Sequence, residues 1–397
     1  MPSFESSLFS EAARAREVFG GPVVAITGSN GKTTTKRMIG AILSRRGKIL
    51  TAPYECAEAG CLARYMVHLG EPYWAAVFKV GATSLDGMKQ AATLLQPDVA
   101  VVTNVGEAHM VRFGSVQQTA EAKAQLIANL RPEGTAVLNK DNEFTSQMGT
   151  VAESKGARAV KFGVSSRADV WAADIEHLGP DGTRFRVVSE IGDSVDLHMP
   201  IYSLGDVYNA LAAVTVAQIV GVPSAAIKDA LENDFSLPSG RGRLLDLGRI
   251  RLIDDTYDAN PQSLVKTSAT LVNFARYSRR LVMVLGEMDQ VGENTAERHR
   301  MSGHYLAKMP IDVIVCVGDG ARPLAEGATA GAGVHKAVLW FDSLEEASDV
   351  LRSLIRDGDT VLVEGSAKLN MATLIEDLVA HFADSRSAGT PAPTEPL

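Results

Sequence analysis

The stretch Val23-Val24-Ala25-Ile26-Thr27-Gly28-Ser29-Asn30-Gly31-Lys32-Thr33-Thr34-Thr35 constrains this chain more than any other part of it. An apolar, β-branched run of five residues reads as a strand buried on both faces, the signature of a parallel sheet. A short loop with a glycine at each end follows. The chain then enters a segment whose apolar residues Met38, Ile39, Ile42 and Leu43 recur at helical spacing. Strand, glycine loop and helix N-terminus together make a phosphate site, because unpaired N–H groups and the positive end of the helix dipole converge on one point. Glycine allows the backbone to curl around an anion without a Cβ in the way. Gly28, Ser29, Asn30, Gly31, Lys32, Thr33 and Thr34 are the expected nucleotide-binding residues. Lys32 serves the β- and γ-phosphates, and Thr33 offers its hydroxyl to Mg²⁺. The longer P-loop pattern G-x-x-x-x-G-K-[ST] is not met, since Ile26 stands where its first glycine would be. The expected ligands are a nucleoside triphosphate and Mg²⁺.

The rest of the chain suits a multidomain α/β enzyme. Its 397 residues exceed one ordinary core. A net charge of −8 with no basic block argues against a nucleic-acid partner. No apolar run reaches the length of a membrane span, and the N-terminus lacks a signal peptide's basic start. Cys56, Cys61 and Cys316 have no metal-ligand spacing, so free thiols in a reducing cytoplasm are expected. The oligomeric state is left open.

Strands and helices alternate from the first strand to about Leu138, which calls for a parallel sheet with helices on both faces. Between Val160 and Pro200 turn residues separate alternating strands, and a small antiparallel subsheet is expected. Leu237-Pro238-Ser239-Gly240 reads as a domain boundary. A second alternating series begins with Arg251–Asp254 and ends with Thr360–Glu364. The expected organisation is a nucleotide-binding domain over 1–238, a second open α/β domain over 239–384 and a disordered, Pro/Ser/Thr/Ala-rich tail over 385–397.

Seven stretches occur in an order that resembles the Mur ligases. They are the glycine loop; Thr103-Asn104-Val105-Gly106-Glu107-Ala108-His109; Lys123 in a Glu-Ala-Lys helix; Tyr208-Asn209-Ala210-Leu211-Ala212-Ala213; Gly240-Arg241-Gly242-Arg243; Asp254-Asp255-Thr256-Tyr257-Asp258-Ala259-Asn260-Pro261; and Leu285-Gly286-Glu287-Met288. The resemblance implies a central ATPase domain followed by a dinucleotide-fold domain. It implies an ATP-dependent, amide-forming ligase that works through an acyl phosphate. It also implies roles for single residues: Lys32 on the phosphates, His109 and a carbamylated Lys123 at a second Mg²⁺, and Asn209 on the adenine. Arg241 and Asp255 would close on phosphate and ribose.

The chain departs from the family pattern at several positions. No segment before Val23 is long enough for the family's UDP-gripping domain. Glu55-Cys56-Ala57-Glu58-Ala59-Gly60 replaces an Asn-Asn-x-x-Gly substrate stretch. Lys79 stands where the family has a metal-binding glutamate, Gly205 and Asp206 where it has His and Asn, and Glu364 where it has Lys. Glu107 is a candidate partner for Lys79 that takes over some of the metal duty. The preferred expectation is a ligase joining a small carboxylic acid to an amine or amino acid, with no UDP-linked precursor. The alternatives are a catalytically impaired nucleotide-binding partner, and a cell-wall peptide ligase whose UDP-binding part comes from another chain.

Overall fold

The computed structural model describes residues 4–53, 55–81, 84–106, 115–288, 294–366 and 369–384. Glu107, His109 and the tail from Ser385 lie outside the described residues. The chain divides into two compact units. The first runs from the N-terminus to Glu176 and adds Thr183–Pro200 and Leu204–Ser236; the second comprises His177–Gly182, Ile201–Ser203 and the chain from Leu237 onward.

Unit 1 is built on nine strands: β1 (Val23–Thr27), β2 (Ile49–Thr51), β3 (Ala75–Lys79), β4 (Val99–Val102), β5 (Thr135–Asn139), β6 (Arg158–Gly163), β7 (Val170–His177), β8 (Thr183–Ser189) and β9 (Val195–Met199). They form one sheet in the order β2-β3-β1-β4-β5-β6-β7-β8-β9. All five residues of β1 are buried, as a central parallel strand requires. It pairs in parallel with β3 (Ile26↔Lys79) and with β4 (Thr27↔Val102). The chain leaves β1 toward β2 and β3 on one side and returns to β4 on the other. A switch point therefore opens at the carboxyl ends of β1 and β4, where α/β sheets bind ligands. The expected antiparallel subsheet is a continuation of this sheet: β6 pairs with β7 in parallel, and β8 with β9 antiparallel.

Five helices in unit 1 bear on the site: α1 (Phe4–Val18), α2 (Lys32–Ser44), α3 (Ala59–Met66), α4 (Leu85–Leu95) and α5 (Val116–Ala128). One face of the sheet is sealed by Leu62, Ala63 and Met66 of α3 and Met88, Ala91 and Leu95 of α4, packed on Phe78. Arg16 of α1 is 1 % exposed, yet its charge is compensated. It donates to the carbonyls of Leu95 and Gln96 and to Asp98 Oδ2 at 2.8 Å, and the same carboxylate accepts the Val23 N–H at 2.7 Å. That knot fixes the start of β1.

The expectation of three free thiols is corrected here. Cys56 and Cys61 form a disulfide with Cα atoms 5.5 Å apart, because the chain folds back from Cys56 into the first turn of α3. The compartment argument from free thiols thereby loses its basis. Cys316 is free, and burial pushes its thiol up to about 12. Among the described residues no helix is long and apolar enough to cross a membrane.

Unit 2 carries β10 (Arg243–Asp246), β11 (Arg251–Asp255), β12 (Arg280–Leu285), β13 (Val313–Val317), β14 (Ala337–Phe341) and β15 (Asp359–Glu364) in the order β10-β11-β15-β12-β13-β14. Only the β10–β11 pair is antiparallel. Its core joins Leu252, Val282, Val284, Val315, Val361 and Val363 to Leu351, Leu374 and Leu378.

Candidate active site

The loop after β1 is shaped by glycines that nothing else can replace. Gly28 has φ +150°, and a Cβ there would fall 1.9 Å from the Thr103 hydroxyl. Gly31 has φ +82°, and a Cβ there would fall 2.2 Å from Asn209 Oδ1. Gly31 is also the N-cap of α2 and offers no side chain to its first turn, which holds no acidic residue. The amide groups of that turn are thus left for an anion. Lys32 Nζ donates to the carbonyls of Gly28 and Ser29, both at 2.8 Å. Thr33 and Thr34 fill the first turn and are 6 % and 4 % exposed.

The segment after β4 straps this loop in place. Ser29 N–H donates to Asn104 O at 2.9 Å, and Asn30 N–H donates to Asn104 Oδ1 at 2.9 Å. Thr103 Oγ1 donates to Asn30 O at 2.6 Å. Gly106 N–H donates to Ser29 Oγ at 3.0 Å. Asn104 was expected within a family stretch; its double contact with the loop gives it a physical task.

A further helix, α6 (Leu204–Ile219), presents Asn209 to the loop. Asn209 is 6 % exposed; its Oδ1 accepts from Thr35 Oγ1 at 3.1 Å, and its Nδ2 donates to Asp206 Oδ1 at 3.3 Å. It also lines a cavity of about 280 Å³ with Thr103, Asn104, Asn139, Phe162 and Tyr208. The sequence reading missed most of this wall. Asn139 donates to Thr103 O at 3.0 Å, and Asn142 both accepts from Val105 N–H and donates to Val105 O. The Tyr208 hydroxyl donates to Asp141 Oδ2 at 3.0 Å, and burial with that carboxylate raises its pKa. Asn139, Asp141 and Asn142 follow a buried strand as a run of short polar residues, and that was the available signal.

Lys123 lies on α5 and is 5 % exposed, and burial lowers its ammonium to about 8. Lys79 ends β3 at the level of Ile26 and is 8 % exposed. Lys36, one turn into α2, donates to Ala52 O; burial and then the charge of Lys79 lower it to about 8. A concentration of positive charge therefore flanks the loop. Among the described residues no group of three or more His, Cys, Asp or Glu is placed to hold a metal. Glu107 and His109, the other expected metal residues, lie outside those residues, as does any test of a Lys79–Glu107 pair. The loop residues fit a nucleotide phosphate, because the first turn of α2 has no side-chain cap and no acidic residue. For Mg²⁺, the Thr33 hydroxyl at the helix start is the described donor of suitable chemistry.

Arg241 and Asp255 both belong to unit 2. Arg241 stacks its guanidinium 3.9 Å over the Tyr257 ring. Its loop is held by Asp254, a 3 % exposed carboxylate overlooked in favour of its neighbour. Asp254 accepts from Gly240 N–H at 2.7 Å, from Ser239 Oγ at 3.1 Å and from Thr256 Oγ1 at 2.7 Å. Asp255 pairs in register with Glu364. Glu364 accepts from Ser263 Oγ at 2.6 Å and from Thr267 Oγ1 at 2.5 Å. Burial and then Asp255 push Glu364 up to about 8, so it is largely a neutral acid at pH 7.

Comparison with known proteins agrees with this geometry. Residues 26–217 match the Mur ligase middle domain, and residues 240–367 match the Mur ligase glutamate ligase domain. A solved MurF from Acinetobacter baumannii is 31 % identical, with a TM-score of 0.84 over 95 % of this chain and 80 % of its own. The chain belongs to the Mur ligase family. It is an enzyme of the ATP-dependent carbon–nitrogen ligase class that this family comprises. A relative in Escherichia coli, the UDP-N-acetylmuramoyl-tripeptide--D-alanyl-D-alanine ligase, is 29 % identical over 92 % of this chain and 79 % of its own length. The counterpart in Mycobacterium tuberculosis is 28 % identical over 93 % of this chain and 75 % of its own. A Thermotoga maritima MurF solved in complex with ADP shares the fold at 21 % identity and a TM-score of 0.82.

Proposed function

We propose that this Mur ligase joins a small carboxylic acid to an amine or amino acid at the expense of ATP. The observation that carries the reading is the glycine loop, whose two glycines leave no room for a side chain and whose helix N-terminus is uncapped. A carboxylate oxygen attacks the γ-phosphorus and ADP leaves. The amine nitrogen then attacks the carbonyl carbon, phosphate leaves, and the nitrogen gives up a proton. Such transfer depends on positioning and on neutralising charge at the phosphoryl group.

In this reading Lys32 would leave the Gly28 and Ser29 carbonyls for the β- and γ-phosphates, and Thr33 would offer its hydroxyl to Mg²⁺. The cavity beside Asn209 takes the nucleobase, with Phe162 giving apolar surface and the asparagine amides giving hydrogen bonds. Lys123 is a carbamate: its lowered pKa supplies the neutral amine that adds to CO₂. The product replaces a buried cation by an anion suited to a metal. His109 and Glu107 take metal-side roles, and Arg241 and Asp255 serve the nucleotide.

The rebuilt Glu55–Gly60 stretch and Lys79 support an acid other than the family's UDP-linked peptide. The similarity to D-alanyl-D-alanine ligases over more than nine-tenths of the chain favours a second reading, the MurF-type reaction itself. ADP release should be measured against a panel of acids and amines, with the amide detected by mass. The panel includes UDP-muramoyl tripeptide with D-alanyl-D-alanine. Amide from a small acid supports the first reading, amide from the UDP-linked peptide the second, and no amide from any pair refutes both.

A further inference from the structure

The amino ends of β11, β12 and β15 frame a cavity of about 600 Å³ in unit 2 that the ligase chemistry does not use. It lies at the opposite end of β11 from Asp255, roughly 13 Å away at the rise of a parallel strand. Arg249, Arg251, Arg276 and Arg279 line it together with Tyr277 and Gly358. In a chain of net charge −8 this is a local reversal of sign.

Only part of that charge is balanced nearby. Arg249 is paired, its Nε and one terminal nitrogen both 2.8 Å from Asp357 Oδ1. Arg251 donates from one terminal nitrogen to Tyr277 O at 2.9 Å, which fixes its fork. Its Nε is buried and makes no hydrogen bond, and its ion pair with Asp246 Oδ2 is a long one at 3.8 Å. Arg276 and Arg279 are exposed and form no ion pair among the described residues. Arg279 is nonetheless held: its N–H donates to Gly358 O at 2.8 Å, and its stem lies against the Gly358 Cα. A Cβ at Gly358, where φ is +89°, would fall 2.8 Å from Arg279 Cγ. Surface arginines ordinarily point separately into water. Here two sequence segments deliver four guanidinium groups to one concavity, with a backbone contact and a glycine setting the position of two of them.

Planar guanidinium forks match the oxygens of phosphate better than any other common anion. Several forks with spare donors suit two linked phosphates rather than one. A bounded basin in an acidic chain does not suit a nucleic acid, which needs an extended basic track. We propose that this basin binds the diphosphate group of a small phosphorylated molecule, at a site separate from the nucleotide loop.

The test is calorimetric titration with inorganic pyrophosphate of the full chain carrying Lys32→Ala, which weakens phosphate binding at the glycine loop. The expected result is saturable one-to-one binding that weakens with added salt. A double variant, Arg276→Ala with Arg279→Ala, should lose affinity by about tenfold or more, because charge-assisted hydrogen bonds are removed. Its ADP affinity and melting temperature should be those of the parent, since neither side chain is paired or buried. Equal pyrophosphate affinity with and without the two arginine substitutions, or no pyrophosphate binding to the Lys32→Ala chain, overturns the proposal. Citrate binding as tightly as pyrophosphate also overturns it, because charge alone would then suffice.

Discussion

Lys32 is held by two carbonyl oxygens of its own loop, and both contacts are local. Lys32→Ala should therefore cost about 1–3 kcal/mol of stability, the order of two part-buried hydrogen bonds from a charged donor. It should cut ATP turnover by about 100-fold or more, the scale seen when a donor to developing charge is removed. Urea unfolding and ADP release check the two halves, and an unimpaired turnover would remove Lys32 from the chemistry. Lys123 gives a second test at this scale. Its ammonium is lowered to about 8 by burial, so the neutral amine is plentiful at pH 8 and scarce at pH 6. With ¹³C-bicarbonate, a carbamate resonance should be present at pH 8, fade on acidification and be absent from Lys123→Ala. A parent spectrum with no such resonance at pH 8 would leave Lys123 a buried lysine.

At the scale of elements, two buried carboxyl groups act as ties, Asp254 on a turn and Glu364 on the helix Pro261–Val272. Asp254 accepts from three donors at the 239–242 turn and the end of β11. Asp254→Ala should destabilise the protein by about 3 kcal/mol, since buried donors lose a charged acceptor. Turnover should fall further through misplacement of Arg241. Urea midpoints and kinetics test this, and a loss below 1 kcal/mol would show the turn to be held otherwise. Glu364 works in the opposite sense. Its carboxyl is raised in the folded state to about 8, so the folded chain keeps a proton that the unfolded chain sheds near 4.5. Stability from this group is complete below about 4.5 and declines as pH rises toward 8. Glu364→Gln should flatten that decline, and melting curves at pH 5 and pH 8 that shift equally in parent and variant would refute it. The sequence made most of these elements legible, because β1, β4 and β12 are almost wholly apolar runs bounded by glycine or polar turns. It made the loop legible too, since Gly28 and Gly31 are required by sterics that spacing alone reflects. It did not reveal β10 or β14, whose residues are only half-buried. Asn139 and Asn142 gave only the weak signal of a polar cluster at the end of β5, because their partners, backbone groups of Thr103 and Val105, are distant in the sequence. The Cys56–Cys61 bridge was missed because a four-residue spacing says nothing of the turn that closes it.

For the molecule as a whole, the open question is which acid it activates. The matches to the middle and glutamate ligase domains account for 26–217 and 240–367 and provide the nucleotide loop and a second α/β sheet. Within the first, the Cys56–Cys61 bridge follows β2, and Lys79 stands at the end of β3 at the level of Ile26. An ammonium there repels Mg²⁺ and attracts carboxylate or phosphate oxygens. A compact acid can exploit that attraction at close range, whereas a peptide carried on a UDP moiety draws its affinity from contacts far from the reacting carboxyl. The prediction is that this chain alone does not turn over UDP-muramoyl tripeptide with D-alanyl-D-alanine, while it releases ADP with at least one small acid and amine. Turnover is the deciding readout, because the arginine basin in unit 2 can hold a diphosphate without any chemistry following. Lys79→Glu should then lower the small-acid rate by about tenfold, as one charge-assisted contact is exchanged for a repulsion. If the parent chain makes the UDP-linked pentapeptide product unaided, the small-acid reading falls and Lys79 belongs to a MurF-type site with a different metal arrangement.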